Sequence, residues 1–280
     1  MQVYRHMDIG SAKITPEEMQ GVTHYMIDEL EPDEEFHVVR FVTMAKEYLK
    51  EIYADGKIPI IAGGTGFYIQ ALLYDIDFTE QQCDETYRRQ LEDLAREHGA
   101  EYLHGILREV DPASAEAIHA NNIKRVIRAL EFYHLSGKKI SEHNKTERQK
   151  QSPYNFAYFV LTDERAKLYE RIDRRVNAMI EAGLVEEVKK LKSMGCSREM
   201  VSMQGLGYKE ILAYLDGGCT LEEAVYIIKR ETRHFAKRQL TWFKRERDVI
   251  WLDKQAFGYD DAAILTDMIS ILEEKEKEEQ

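Results

Sequence analysis

Residues 57–73 read K-I-P-I-I-A-G-G-T-G-F-Y-I-Q-A-L-L. The run 58–62 is short, apolar and β-branched, the signature of a buried strand. Gly63, Gly64 and Gly66 then punctuate the chain. Phe67, Ala71 and Tyr74 resume at the i, i+4 and i+7 spacing of a helix. A strand, a glycine-rich turn and a helix start form the place where open α/β sheets hold ligands. Glycines let backbone N–H groups converge on an anion, and a helix N-terminus adds partial positive charge. Thr65 is the one side chain in the turn that both donates and accepts a hydrogen bond. The alternative is a tight turn with no ligand. The stretch lacks the Gly-Lys-Ser/Thr ending of a P-loop and is not one.

Upstream, residues 38–53 place Val38, Phe41, Val42, Ala45, Leu49 and Ile52 on one face of an amphipathic helix. Thr15-Pro16-Glu17-Glu18 reads as a helix start, with a cap, a proline in the first position and acids in the first turn. Residues 24–30 read as a short strand. Helix, turn, strand, glycine loop and helix is α/β alternation. Downstream, four helical patterns follow from Asp84 to about Leu135, with Asp111-Pro112 opening the third and Asn121-Asn122 the fourth. Residues 154–161, Y-N-F-A-Y-F-V-L, read as a strand that returns to the sheet. The helical block between is too long for a loop. The expected division is therefore an α/β core of residues 1–80 and 153–280 with a helical insertion of residues 81–152. Within the core, residues 164–181, 184–194 and 221–244 read as helices, residues 204–210 as a glycine-rich loop entering another, and residues 249–252 as a last strand. The acidic C-terminal end reads as solvated and frayed.

The 280 residues carry a formal net charge of −12, which excludes a generic nucleic-acid binder held by overall charge. Any such site must be a local basic patch. Cys83, Cys196 and Cys219 are far apart and form neither a metal quartet nor a disulfide framework, which points to a reducing cytoplasm. No run is long and apolar enough for a membrane span. The first ten residues lack the apolar core of a signal peptide. No histidine pairs with another His or Cys at metal-binding spacing.

Basic patches do occur. Between Lys229 and Arg247 eight Lys or Arg stand against two Glu, a stripe out of keeping with so acidic a chain. Arg230, Arg233, Lys237, Thr241 and Lys244 fall on one helical face, and Ile228, Phe235 and Trp242 on another. The stripe suits phosphates, from a diphosphate or an RNA backbone; the bland reading is a solvated face. In N-N-I-K-R-V-I-R-A-L-E, residues 121–131, Arg125 and Arg128 share a face and Lys124 precedes Arg128 by one turn; taken alone, the segment reads first as an ordinary surface helix with snorkelling arginines. Tyr87-Arg88-Arg89 is weaker still.

Five segments taken together resemble the tRNA dimethylallyltransferase family, also called tRNA isopentenylpyrophosphate transferases. They are M-Q-V-Y-R-H-M-D-I-G-S-A-K, I-A-G-G-T-G-F-Y-I-Q-A-L-L, I-H-A-N-N-I-K-R-V-I-R-A-L-E, Q-G-L-G-Y-K-E and T-R-H-F-A-K-R-Q-L-T-W-F-K, in that order from residue 1 to about 245. The resemblance implies an α/β fold with a P-loop-kinase-like parallel sheet flanked by helices and an inserted all-helical subdomain. It implies transfer of a dimethylallyl group from dimethylallyl diphosphate to the exocyclic N6 amine of the adenosine 3′ of the anticodon. Mg²⁺ would accompany the diphosphate. The tRNA anticodon stem-loop is the implied partner, with the target base flipped out, and a monomer with no membrane partner is expected.

By the same resemblance Thr65 is the catalytic candidate, positioning the reacting amine. Met1 and Gln2 are implied to contact the tRNA loop, and Arg88, Lys124, Arg125 and Arg128 to contact RNA or close over the diphosphate. Gln204, Gly205, Leu206, Gly207, Tyr208 and Lys209 are implied to line the anticodon-loop site. Arg233 and Lys237 are implied to face the diphosphate, with Lys237 and Arg238 also on the tRNA side. In the family, an Asp-Ser pair precedes the first segment and supplies the general base, behind a first strand and a P-loop. None of these is in the 280 residues. The chain is accordingly expected to be N-terminally truncated, weak or inactive in transfer, and open in its sheet where that strand would lie. A non-catalytic tRNA-binding module is the alternative, and a small-molecule kinase relative is disfavoured by the missing P-loop.

Overall fold

The computed structural model describes residues 1–77, 84–147 and 149–278; Cys83 lies outside them. The chain forms two compact units, one of Met1–Ile69 with Asn155–Gln280 and one of Gln70–Tyr154. The second unit thus starts at Gln70, earlier in the chain than the expected insertion at 81.

In chain order, helix α1 (Val38–Ala54) forms as its spacing predicts, with Val42, Ala45 and Leu49 buried on one face. Helix α2 (Gly66–Leu73) follows the glycine turn and runs into the second unit. The second unit is helical throughout its described residues: α3 (Glu85–His98), α4 (Ala100–Val110), α5 (Pro112–Ala117), α6 (Ile123–Ser136) and α7 (Ile140–Glu147). Leu91 and Ala95, Leu103 and Leu107, and Val126, Ile127 and Leu130 each recur at helical spacing and meet in one core. Asp111 ties this core's polar ends together. It is 1% exposed; its carboxylate accepts from Ser114 N (3.1 Å) and Oγ (2.6 Å) at the start of α5, and from Ser141 N (3.0 Å) and Oγ (2.6 Å) at the start of α7. One side chain therefore caps two helices.

Burial alone would push the Asp111 carboxyl up, but the hydrogen bonds from Ser114 and Ser141 outweigh it and hold the group below its ordinary value. A depressed carboxyl stabilises the fold above the unfolded value of 3.8 and loses that contribution as pH falls through its lower native value. Asp111→Asn is expected to cost about 1.5 kcal/mol at neutral pH. In helical melts followed against pH, the gap from the native protein should close below that unfolded value; a gap independent of pH would refute the assignment.

The chain then returns to the first unit as strand β1 (Tyr158–Thr162). Helices α8 (Arg165–Glu181), α9 (Leu184–Ser193), α10 (Tyr208–Leu215) and α11 (Leu221–Phe243) lead to strand β2 (Val249–Asp253), and α12 (Asp261–Glu278) follows. The strands pair in parallel from Tyr158 opposite Val249 to Thr162 opposite Asp253. Val176, Leu184, Val188, Leu191, Ile211, Ala224 and Ile228 build the core, joined by Val3, Tyr4 and Met7 from the N-terminal loop. The result is a small parallel sheet flanked by helices.

The structure corrects three sequence expectations. Residues 58–62 form no strand, and Ile58 and Ile60 are 84% and 88% exposed. No strand lies beside them among the described residues, and an apolar run without a neighbour cannot bury itself. The expected strand at 24–30 shrinks to one bridge, Tyr4 to Leu30. The helix start at Thr15 forms its reciprocal bonds, Thr15 N to Glu18 and Glu18 N to Thr15 Oγ1. The chain then turns at Gln20 and Gly21, both at positive φ, because no apolar stripe follows to hold a helix. Helices α7 and α12 form although sequence periodicity marks neither.

Candidate functional site

In the first unit, the N-terminal loop is fixed by its own backbone. Amides of Asp8, Ile9 and Gly10 converge on the Glu187 carboxylate at 2.9, 2.7 and 3.1 Å, and the Tyr208 hydroxyl donates to it at 2.8 Å. Tyr208 is fully buried. Burial first, then the Glu187 charge, pushes its phenol well above the ordinary range, so it remains a donor. Gly10 lies close against the ring: a Cβ there would sit 2.6 Å from Cζ. Lys13 bonds the Tyr4 carbonyl (2.8 Å) and the Asp8 and Asp28 carboxylates (2.5 Å each). Gln2 donates to the Ala12 carbonyl at 2.6 Å. The Met1 side chain reaches Gly205, where a Cβ would meet its Cε at 2.7 Å. The fold thus brings Met1, Gly205 and Tyr208 into one neighbourhood.

The Q-G-L-G-Y-K-E segment turns sharply at Gly207, whose φ of +96° suits glycine. The buried Gly207 amide donates to Glu210 at 2.9 Å, closing the first turn of α10. Gln204 is exposed and Lys209 half-buried, with Lys209 Nζ 3.6 Å from Glu210. Arg198, Gln204, Lys209, Glu210, Ala213 and Cys219 line a cavity of about 300 Å³. Cys196 and Cys219 are free thiols, and burial pushes Cys196 up.

The glycine turn rests on α11. Gln239 Nε2 donates to the Gly64 carbonyl at 2.8 Å, and Trp242 packs on Gly66. Thr65 is exposed. Its carbonyl accepts from Tyr68 N (2.9 Å) and Ile69 N (3.2 Å) and so opens α2. Its hydroxyl carries no hydrogen bond among the described residues.

The stripe on α11 is uneven. Arg230 pairs with Glu231 at 2.9 Å, and Arg233 with Asp173 of α8 at 3.1 Å. Lys237 and Arg238 are exposed and form no ion pair among the described residues. The expected apolar face also divides: Ile228 is buried but Phe235 is 40% exposed. Positions seven apart drift by about 20° on a straight helix, and Phe235 instead lies under the Arg238 guanidinium, 5.7 Å from its centroid.

In the second unit, Lys124, Arg125 and Arg128 are exposed on α6. Arg88 on α3 makes a two-armed bond to Glu131 of α6, Nε to Oε1 at 2.7 Å and Nη2 to Oε2 at 2.8 Å. Tyr87 stacks on His134 at 3.9 Å.

Sequence reading passed over Glu187 and Gln239. Glu187 is one of two adjacent acids on a polar face, and only the fold shows which one the N-terminal loop reaches. Gln239 lies within a quoted segment, but its partner is far away in the chain.

The family model described as IPP transferase matches residues 2–246. A tRNA dimethylallyltransferase of Lachnoclostridium phytofermentans is 65% identical over 276 residues, 99% of this chain and 88% of that protein. The solved tRNA isopentenylpyrophosphate transferase of Bacillus halodurans is 44% identical with a TM-score of 0.70, over 99% of this chain and 88% of that one. A eukaryotic dimethylallyltransferase solved acting on tRNA is 29% identical with a TM-score of 0.76, over 90% of this chain and 65% of that one. The likeness covers both units and the glycine turn, the Q-G-L-G-Y-K-E loop and most of α11, and this chain belongs to the IPP transferase family.

Proposed function

We propose that the chain modifies tRNA by prenyl transfer, moving a dimethylallyl group from dimethylallyl diphosphate to the N6 amine of the adenosine 3′ of the anticodon. The observation that carries this reading is the family match along residues 2–246 in a chain 65% identical to a tRNA dimethylallyltransferase. In the reaction the carbon–oxygen bond to the diphosphate breaks, the N6–carbon bond forms, and the amine loses a proton to a base. Thr65 presents an exposed, unengaged hydroxyl on a turn held by α11, which suits it to orient an exocyclic amine. Lys237, with no ion pair among the described residues, suits the developing charge of the leaving diphosphate, and Arg233 would meet it only by sharing or leaving its pair with Asp173. Met1, Gln2 and residues 204–209 are the tRNA-loop side of the first unit. Lys124, Arg125 and Arg128 offer the second unit's cations, with Arg88 beside them on Glu131. A monomer in the cytoplasm is the state the family resemblance implies. No helix among the described residues is long and apolar enough to cross a membrane.

Mg²⁺ is the cation the reaction class calls for. Among the described residues no three His, Cys, Asp or Glu side chains converge into a cage. A Mg²⁺ bound with the substrate would take diphosphate oxygens as ligands and would neutralise charge on the leaving group.

Incubation with tRNA and dimethylallyl diphosphate, followed by nucleoside mass spectrometry, tests the reading. A dimethylallyl adenosine next to the anticodon supports it. Tight tRNA binding without product would establish the tRNA-binding module instead. The uneven stripe also predicts which cations matter. Lys237→Ala and Arg238→Ala should each weaken tRNA binding regardless of sequence and lower the salt slope by about 1. Arg230→Ala should do less, since Glu231 already neutralises that charge. Unchanged salt slopes in the Lys237 and Arg238 variants would reject α11 as a phosphate surface.

A further inference from the structure

We propose that Gln239 and Trp242 of α11 are positioning residues for Thr65, forming a socket that seats the glycine turn; the catalytic part of this rests on the reading of Thr65 given above. Gly64 and Gly66 flank Thr65, and neither has a positive φ. Their backbone conformation is open to any residue, so glycine is needed there for space. A Cβ on Gly64 would fall on Gln239 Nε2, the atom that donates to the Gly64 carbonyl. A Cβ on Gly66 would fall on the pyrrole edge of Trp242, against Cδ1, 2.5 Å from Nε1 and 3.0 Å from Cγ. Gly63, one residue further out, has nothing within 4 Å of its Cβ position. The close approach is therefore confined to the two residues that bracket Thr65.

The two contacts differ in kind. Gln239 holds by a hydrogen bond at the end of a flexible side chain, so an added methyl at Gly64 is relieved by rotation and loses one bond. Trp242 holds by shape. Its ring lies edge-on to Phe67 with centroids 6.1 Å apart, and its Nε1 is buried with no hydrogen-bond partner among the described residues. What the indole offers the turn is therefore contact surface rather than a hydrogen bond. One contact fixes the turn's height above α11 and the other fixes the start of α2. Between them the Thr65 side chain is left facing solvent at a set angle.

Hydrogen exchange read by mass spectrometry, with kcat and KM measured beside it, tests the socket. Gly66→Ala should speed exchange of the hydrogen-bonded amides at the start of α2, Tyr68 and Ile69, about tenfold and lower kcat about 100-fold with KM for tRNA little changed. Gly63→Ala should leave that exchange as it was. In a Trp242→Ala background, Gly66→Ala should add nothing, because the atoms it collides with are gone. If Trp242→Ala does not fold, Gly64→Ala in a Gln239→Ala background makes the same comparison. Equal, additive effects of the glycine substitutions in both backgrounds would overturn the socket. If the native protein transfers no prenyl group, the exchange results still decide whether α11 seats the turn, and only the assigned chemistry falls.

Discussion

Glu187→Ala is expected to destabilise the protein by about 3 kcal/mol, a fall in Tm of roughly 6–12 °C. The substitution removes the one acceptor shared by the amides of Asp8, Ile9 and Gly10 and the Tyr208 hydroxyl. Hydrogen bonds to a charged acceptor contribute about 1.5–3 kcal/mol each, and four of them on one group do not add in full. Water can reach some of the freed amides, but Tyr208 is completely buried and its hydroxyl has no such recourse. Glu187→Gln keeps one carbonyl oxygen and should lose about half as much. Gly10→Ala attacks the same joint from the other side, since its methyl would enter the Tyr208 ring. Chemical denaturation of the three variants decides the matter, and a loss below about 1 kcal/mol for Glu187→Ala would show that the loop is held elsewhere. Met1 and Gln2 ride on that loop, so weaker tRNA binding by the Glu187 variants would support their proposed contact with the tRNA loop.

Arg88→Ala is expected to cost about 2–3 kcal/mol, and to do so in the second unit. The Glu131 carboxylate it meets is 1% exposed, whereas the arginine is 42% exposed on its outer side. Removing one partner of a buried pair costs about 3–5 kcal/mol; solvent at the arginine end reduces that. Lysine should not restore the loss, because it lacks the planar fork that matches both oxygens. Replacing both partners, Arg88→Met with Glu131→Leu, should recover most of the stability. Thermal melts of these variants provide the check, and an Arg88→Ala protein as stable as the native one would mark the pair as inert. tRNA affinity measured on the stable double variant then reports what Arg88 does for RNA apart from its part in the helix packing.

What the sequence could and could not disclose follows from the range of each interaction. Helices α1, α3, α6 and α9 were legible because their apolar residues repeat at the helical period and each stripe found a core. Asp111 was legible as the cap of α5 from Asp-Pro alone, but its second role, on Ser141, depends on where α7 arrives. Residues 58–62 have the composition of a strand, yet composition cannot supply the neighbour a strand needs. Cations on α11 were legible as a stripe, while their division into paired and unpaired members depends on Asp173 from another helix. Residue type marked Thr65 only as the side chain in the turn that both donates and accepts, and its catalytic role came from the family resemblance alone. What holds it in place, 175 residues away at Gln239, leaves no local trace.

The exposure of Ile58, Ile60 and Ile61 also bears on how the protein should behave at high concentration. A β-rich apolar run that is exposed and unpaired is a template for edge-to-edge association between copies. Lys57 flanks it and Pro59 interrupts it in the manner of gatekeepers, one by charge and one by withholding an N–H. The same few residues that a sequence reader would place deepest in the protein are thus the ones through which it is most exposed to aggregation.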